Sequence, residues 1–157
     1  MCSPGEGFVV PYELKASPIG GRGLFAVEDI PAGALIWKYL PNVNIAEHDE
    51  AALTAKLEAM ESDDERQHFL THVYPWEGKA VEILDDGQYW NHSATPNTGE
   101  TGTGDEASHT FAIRDIKAGE ELTDDYAQYQ DLPWMTALSQ RYGLSGTVRQ
   151  WAENLQA

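Results

Sequence analysis

Cysteine is nearly absent from this chain. Cys2 stands alone in 157 residues, which excludes an intrachain disulfide framework and a zinc site built on cysteines. Basic side chains are scarce as well: ten Lys and Arg stand against 26 Asp and Glu, a formal charge of −16. Nucleic-acid binding rests on neutralising phosphates with Lys and Arg, so this balance argues against a direct nucleic-acid partner. No apolar run approaches the roughly 20 residues needed to span a bilayer. The opening MCSPGEGFVV lacks the basic flank and long apolar stretch of a secretory signal. The expectation is a soluble protein of a reducing, intracellular compartment, cytoplasmic or nuclear, without a membrane partner.

What is present is bulky core material. Five Trp, seven Tyr and four Phe accompany a hydrophobic content of 41%, enough to argue against disorder and for one compact domain over residues 1–157. The acid excess would attract a Lys/Arg-rich protein or peptide and speed its encounter. It would equally serve solubility alone.

Strand-like and turn-like pieces alternate along most of the chain. FVVPYELKAS, broken by Pro11, leads into the turn PIGGRG; LFAVEDI, the turn PAG and ALIWKYL follow, and KAVEILDD, SHTFAIRDI and GEELTDDY supply further strands. Between them, about 46–70, AEHDEAALTAKLEAMESDDERQHFL is rich in helix formers, with Ala52, Leu53, Leu57 and Met60 at helical spacing. From about 131 to 157 the tail predicts two short helices parted at Gly143–Gly146. TGETGTGDEAS has the composition of a hairpin loop. The pattern predicts a mainly β domain with a helical insertion and a helical tail.

Three stretches hold the candidate chemistry. In GGRGLFAVEDIPAG, glycines around Arg22 permit a tight turn with positive φ and leave backbone groups open to a ligand. No Lys-Ser/Thr follows, so it is not a phosphate loop of the GxxxxGK type. WNHSATPN places Asn91, His92 and Asn97 behind an aromatic pair, offering donors and acceptors without a fixed negative charge. GEELTDDYAQY brings Tyr126 to the end of a strand. His68 and His72 stand four apart without a third ligand at a telling spacing, and no metal site is expected. Asn91-His92-Ser93 also fits an N-glycosylation acceptor, a reading without a secretory signal beside it.

In order and spacing, GRGLFA, NHSATPN and ELTDDY resemble the SET domain of protein lysine methyltransferases, whose segments read G-x-G-L-F-A, N-H-S-x-x-P-N and E-L-T-x-D-Y. The likeness runs from about Ser17 to Tyr126. It implies a SET-type (β-clip) fold of several small sheets, in which the second and third segments meet through a knot-like C-terminal threading, a rare feature in proteins. It also implies S-adenosyl-L-methionine as cofactor, held by Asn91 and His92 and by backbone around Gly21, Arg22 and Gly23. Tyr126 falls at the catalytic tyrosine position, where its hydroxyl would orient the amine and contribute to the cofactor pocket. Asp124 stands where the family usually has Tyr or Phe, in the substrate channel beside Tyr126; its carboxylate could hold an ammonium or point outward.

Ala94 follows NHS where the family usually has Cys, and no cysteine clusters flank the motifs. The resemblance is therefore to a minimal form without a zinc-bound flap. Tyr129 and Trp134 are candidates to cover the adenine, or equally to anchor a tail helix. Small SET domains of this kind often dimerise, so a homodimer is an expectation too. The implied activity is methylation of lysine in a basic protein, such as a histone or a ribosomal protein. The alternative is a SET-like domain that has lost catalysis and only binds peptides. Asp124 favours the binder; retention of Asn91, His92 and Tyr126 favours the enzyme.

Overall fold

The computed structural model describes residues 6–70, 72–125 and 132–143, which fall into two compact units. The first takes residues up to Ile45 and again from Leu84 to Asp125. Its first strand, β1 (Tyr12–Ala16), starts directly after Pro11, which cannot donate to a ladder. It pairs antiparallel with β2 (Arg22–Ala26), Tyr12 opposite Ala26 and Ala16 opposite Arg22. The connecting turn is closed by Ser17 N–H donating to Gly21 O at 2.9 Å. Gly21 takes φ +52°, the left-handed region that glycine enters without penalty.

The expected strand over residues 34–40 is β3 (Leu35–Trp37). It pairs with β9 (Thr110–Ala112), which also pairs with β8 (Thr98–Gly99), giving a three-stranded antiparallel sheet with β9 in the middle. Two very short strands, β7 (Asn91–His92) and β10 (Thr123–Asp124), run parallel to each other. Leu24, Ile36, Ile116 and Leu122 are completely buried in this unit. Asp85, almost fully buried, gathers the start of the chain onto it. Its carboxylate accepts from Gly7 N–H at 2.8 Å, Asn44 Nδ2 at 3.0 Å, Trp37 Nε1 at 3.1 Å and Gly87 N–H at 2.8 Å.

The second unit holds residues 46–83 and, among those described, 132–143. Its sheet has the order β4 (Ile45–His48), β6 (Lys79–Ile83), β5 (Val73–Trp76), with the unit beginning one residue into β4. Glu77 at φ 49° and Gly78 at φ 82° form the two-residue turn between β5 and β6, the left-handed pair that a tight hairpin favours. The helical stretch expected at about 46–70 contains two helices, α1 (Glu50–Glu58) and α2 (Asp63–Leu70). Asp49 caps α1 by accepting from Ala52 N–H at 2.8 Å.

The break between these helices follows from a side-chain cap at Ser62. Ser62 Oγ accepts from Glu65 N–H at 3.1 Å, and the Glu65 carboxylate reaches back to Glu61 N–H at 3.0 Å. Arg66 then takes up carbonyls at the end of α1, donating to Leu57 O at 2.7 Å and Met60 O at 2.6 Å. The tail supplies α3 (Pro133–Arg141), with Pro at the helix start. Leu53, Leu57, Leu70, Val73, Ala80, Met135 and Leu138 form the core of this unit. Among the described residues the architecture is small sheets and three helices without a barrel, the mainly β arrangement the sequence predicts. The expected second tail helix and the chain beyond Asp125 that the expected knot-like threading needs fall outside the described residues.

Candidate functional site

The three motif stretches, the third as far as Asp125, converge within the first unit. β2 lies beside residues 119–122: Gly119 N–H donates to Ala26 O at 2.7 Å, Ala26 N–H to Glu120 O at 2.9 Å and Leu122 N–H to Leu24 O at 2.7 Å. The next two residues, Thr123 and Asp124, pair with Asn91 and His92, and Ser93 N–H donates to Asp124 O at 2.9 Å. The GRGLFA, NHS and ELTDD segments are therefore hydrogen-bonded neighbours. None of these pairings is local in sequence.

Asn97 explains the Pro-Asn at the end of the second motif. It is almost fully buried, and its carboxamide acts as a one-residue strand partner for β10. Nδ2 donates to Glu121 O at 2.8 Å, while Oδ1 accepts from Thr123 N–H at 2.9 Å. Thr98 adds a second clip, donating through Oγ1 to Thr123 O at 2.7 Å and accepting from Trp90 Nε1 at 3.1 Å. Trp90 is in turn stacked on Phe8 with ring centroids 5.5 Å apart, so Asn91 leaves a side chain that is held at both ends.

Asn91 points its amide nitrogen into the first motif. Nδ2 donates to Arg22 O at 3.0 Å and to Glu121 Oε2 at 2.8 Å, with Gly20 O at 3.4 Å. Its Oδ1 meets no donor among the described residues, which leaves an acceptor at the surface. Gly21 supplies the positive φ; Gly23 serves for close approach, because a Cβ there would collide with Glu121 Oε2. Arg22 is exposed, its guanidinium 5.4 Å from the centroid of the Tyr89 ring.

His92 is only 6% exposed, and burial pushes its imidazole below the usual range, since burial disfavours the charged ring. Asp125 opposes that shift from 3.7 Å, beyond hydrogen-bond length. The ring is thus neutral at pH 7. Asp124 is buried rather than turned outward, and one of its carboxylate oxygens accepts from Asp125 N–H at 3.0 Å. Trp134 lies in the second unit, half-buried against the core around Leu53, Leu57, Met135 and Leu138, the place of a helix anchor. Tyr126 and Tyr129 lie outside the described residues. Among those described, no group of three His, Cys, Asp or Glu could hold a metal ion, and no helix is long and apolar enough to cross a membrane.

Two residues central to this geometry were not among the sequence candidates: Glu121 and Ser17. Ser17 Oγ donates to the Glu121 carboxylate, 2.7 Å from Oε1 and 2.9 Å from Oε2. Glu121 opens the ELTDDY segment, and that position was its one signal in the sequence.

The SET domain family model matches residues 21–127. Over 129 residues, 78% of this chain, the sequence is 30% identical to a variant-silencing SET domain-containing protein of Plasmodium falciparum. It is 32% identical over 73% of the chain to an H3 lysine-4 specific histone-lysine N-methyltransferase of Mycosarcoma maydis. It is also 32% identical over 68% of the chain to the histone-lysine N-methyltransferase ASHH3 of Arabidopsis thaliana. The matched regions span 5%, 8% and 29% of those three proteins respectively.

Proposed function

The chain belongs to the SET domain family, and on that premise we propose that it is an S-adenosylmethionine-dependent methyltransferase acting on lysine in a basic protein segment. The observation that carries the proposal is the parallel pairing of Asn91-His92 with Thr123-Asp124, set directly against the turn at Gly21–Gly23. Relatives named as histone-lysine methyltransferases support the same reaction class. The −16 charge supports a Lys/Arg-rich substrate, with a histone as the first candidate.

The donor set fits the proposed cofactor. Asn91 Oδ1 offers an acceptor, backbone at Gly21, Arg22 and Gly23 lies alongside, and neutral His92 adds no positive charge against a cationic ligand. When bound, S-adenosylmethionine supplies a methyl group on a positively charged sulfur. The residues of the chain have the remaining work. A free lysine has a pKa of roughly 10.4, so its neutral, nucleophilic form is scarce at pH 7. A narrow apolar channel lowers that pKa by disfavouring the ammonium. Tyr126 is proposed to orient the amine through its hydroxyl, and orientation of this kind removes much of an entropic barrier. Asp124, buried on β10 two residues before Tyr126, is proposed to hold the incoming ammonium of the substrate at the channel, where its carboxylate opposes the lowering of the amine's pKa. Tyr129 remains the proposed cover for the adenine.

A ligand that binds only the native state raises stability by mass action, by about 2.7 kcal/mol at a concentration 100 times its Kd. Thermal melts with S-adenosylmethionine and its demethylated product should therefore move upward. An unchanged melting temperature at millimolar ligand would sink the cofactor reading. The second reading, a peptide-binding module without catalysis, is favoured by the buried carboxylate of Asp124 alone. It would show tight binding of basic peptides and no methyl transfer.

A further inference from the structure

An asparagine carboxamide carries two donor hydrogens on one side and an acceptor on the other, and rotation by half a turn exchanges them. At Asn91 the neighbours of Nδ2 are all acceptors: Glu121 Oε2, Arg22 O and Gly20 O. A flipped Asn91 would set oxygen against oxygen at each of them. The shortest of these contacts, 2.8 Å, is to the carboxylate of Glu121.

That carboxylate is itself tightly located. Ser17 Oγ accepts from Ile19 N–H at 3.0 Å, which turns the hydroxyl proton toward Glu121, 2.7 and 2.9 Å away. The missing side chain of Gly23 lets Oε2 rest against the backbone of β2. The backbone of Glu121 forms a bridge with Phe25, and its carbonyl is held by Asn97 Nδ2 at 2.8 Å. Contacts from the first turn, from β2 and from the NHSATPN segment thus locate one carboxylate.

We propose that Glu121 is a positioning residue: its carboxylate, seated by Ser17 and Gly23, holds the Asn91 carboxamide with Nδ2 toward the turn and Oδ1 toward the ligand. The inference rests on the cofactor reading above and adds a residue that acts on the ligand through Asn91. It also accounts for a glycine at position 23 without a positive φ, since any Cβ there would displace the carboxylate.

The test is a double-mutant cycle on the affinity for S-adenosylhomocysteine, read by calorimetry. Glu121→Ala and Asn91→Ala should each weaken binding by ~10- to 100-fold, the scale of leaving one buried partner unpaired. The double variant should be no weaker than the weaker single, because coupled residues do not add. Glu121→Gln keeps an acceptor for Asn91 and should recover most of the affinity. Losses that multiply in the double variant would overturn the proposal, as would wild-type affinity in Glu121→Ala.

A second readout is independent of ligand: hydrogen exchange of the Asn91 side-chain amide, followed by NMR in the free protein. It should be slow in the wild type and fast in Glu121→Ala. Should that variant fail to fold, Ser17→Ala should accelerate the exchange in a folded protein. Unchanged exchange in the folded variant would overturn the positioning role. A wild type that protects the Asn91 amide yet binds no S-adenosylhomocysteine would sink the cofactor reading, while the protection lost with Glu121 still supports the placement of Asn91.

Discussion

Replacing Asp85 should unfold more of the first unit than its single position suggests. An ionised carboxylate is acceptor-only, and this one meets donors on both oxygens. Oδ1 accepts from Gly87 N–H at 2.8 Å; Oδ2 accepts from Gly7 N–H at 2.8 Å and Asn44 Nδ2 at 3.0 Å; Trp37 Nε1 lies between them at 3.1 and 3.3 Å. Asp85→Ala leaves these groups unpaired in a site that is 2% exposed. At roughly 1–3 kcal/mol for each buried donor that water cannot reach, the loss is about 4 kcal/mol or more. That is a large share of the ~5–15 kcal/mol available to a folded domain. Asp85→Asn preserves shape but must turn an NH2 group toward at least one donor, so it should cost about 2 kcal/mol. Urea titration followed by tryptophan fluorescence is the assay, with Trp37 as a reporter inside the network. A midpoint shift worth less than about 1 kcal/mol for Asp85→Ala would refute this account of how the chain start is held.

The lowered His92 pKa makes stability depend on pH. The unfolded ring takes a proton near its ordinary 6.5 and the buried ring does so lower, so the contribution is complete above about 6.5 and falls away as pH drops toward the folded value. Urea midpoints of wild type and His92→Gln should therefore diverge in slope below that pH, and parallel slopes would refute it. Arg66→Ala removes the guanidinium from the carbonyls of Leu57 and Met60, and should lower stability by about 1–3 kcal/mol; a change under 0.5 kcal/mol would deny it a capping role. Methyl transfer at subsaturating basic peptide should fall as salt rises, through a higher KM and slower association. A flat profile would mean that the acidic surface does not steer substrate.

Much of the architecture was legible because strong local signals agreed with it. Pro11 marked the start of one strand, the turn at Ser17–Gly21 opened the next, and β6 and β9 fell within expected apolar runs. The elements that escaped were short or depended on distant partners. β8 is two residues long and exists because Gly99 lies opposite Phe111. β5 contains Pro75, which speaks against a strand until its edge position is known. The break between α1 and α2 was written in Ser62-x-x-Glu65, a capping signature set inside a run of helix formers.

At the site, motif order identified Asn91 and His92, whose pairing with β10 is now plain. Glu121 and Ser17 could not be read in the same way. Their weight comes from contacts across 30 and 104 residues of sequence, and neither residue type is unusual where it stands. Gly23 looked like a flexible turn residue and is a spacer for a carboxylate.

Transfer of a labelled methyl group from S-adenosylmethionine to a mixture of basic proteins, wild type beside Tyr126→Phe, tests the central claim most directly. Phenylalanine keeps the ring and removes the hydroxyl. The account predicts lysine-borne label from the wild type, and a kcat lower by about 10- to 1000-fold in the variant, the scale of losing one placed hydrogen-bonding group. Cofactor affinity and melting temperature should hardly change, which would locate the loss in the transition state. Equal incorporation by both proteins would remove Tyr126 from the chemistry, and a folded wild type that transfers no methyl group to any basic protein would contradict the account itself.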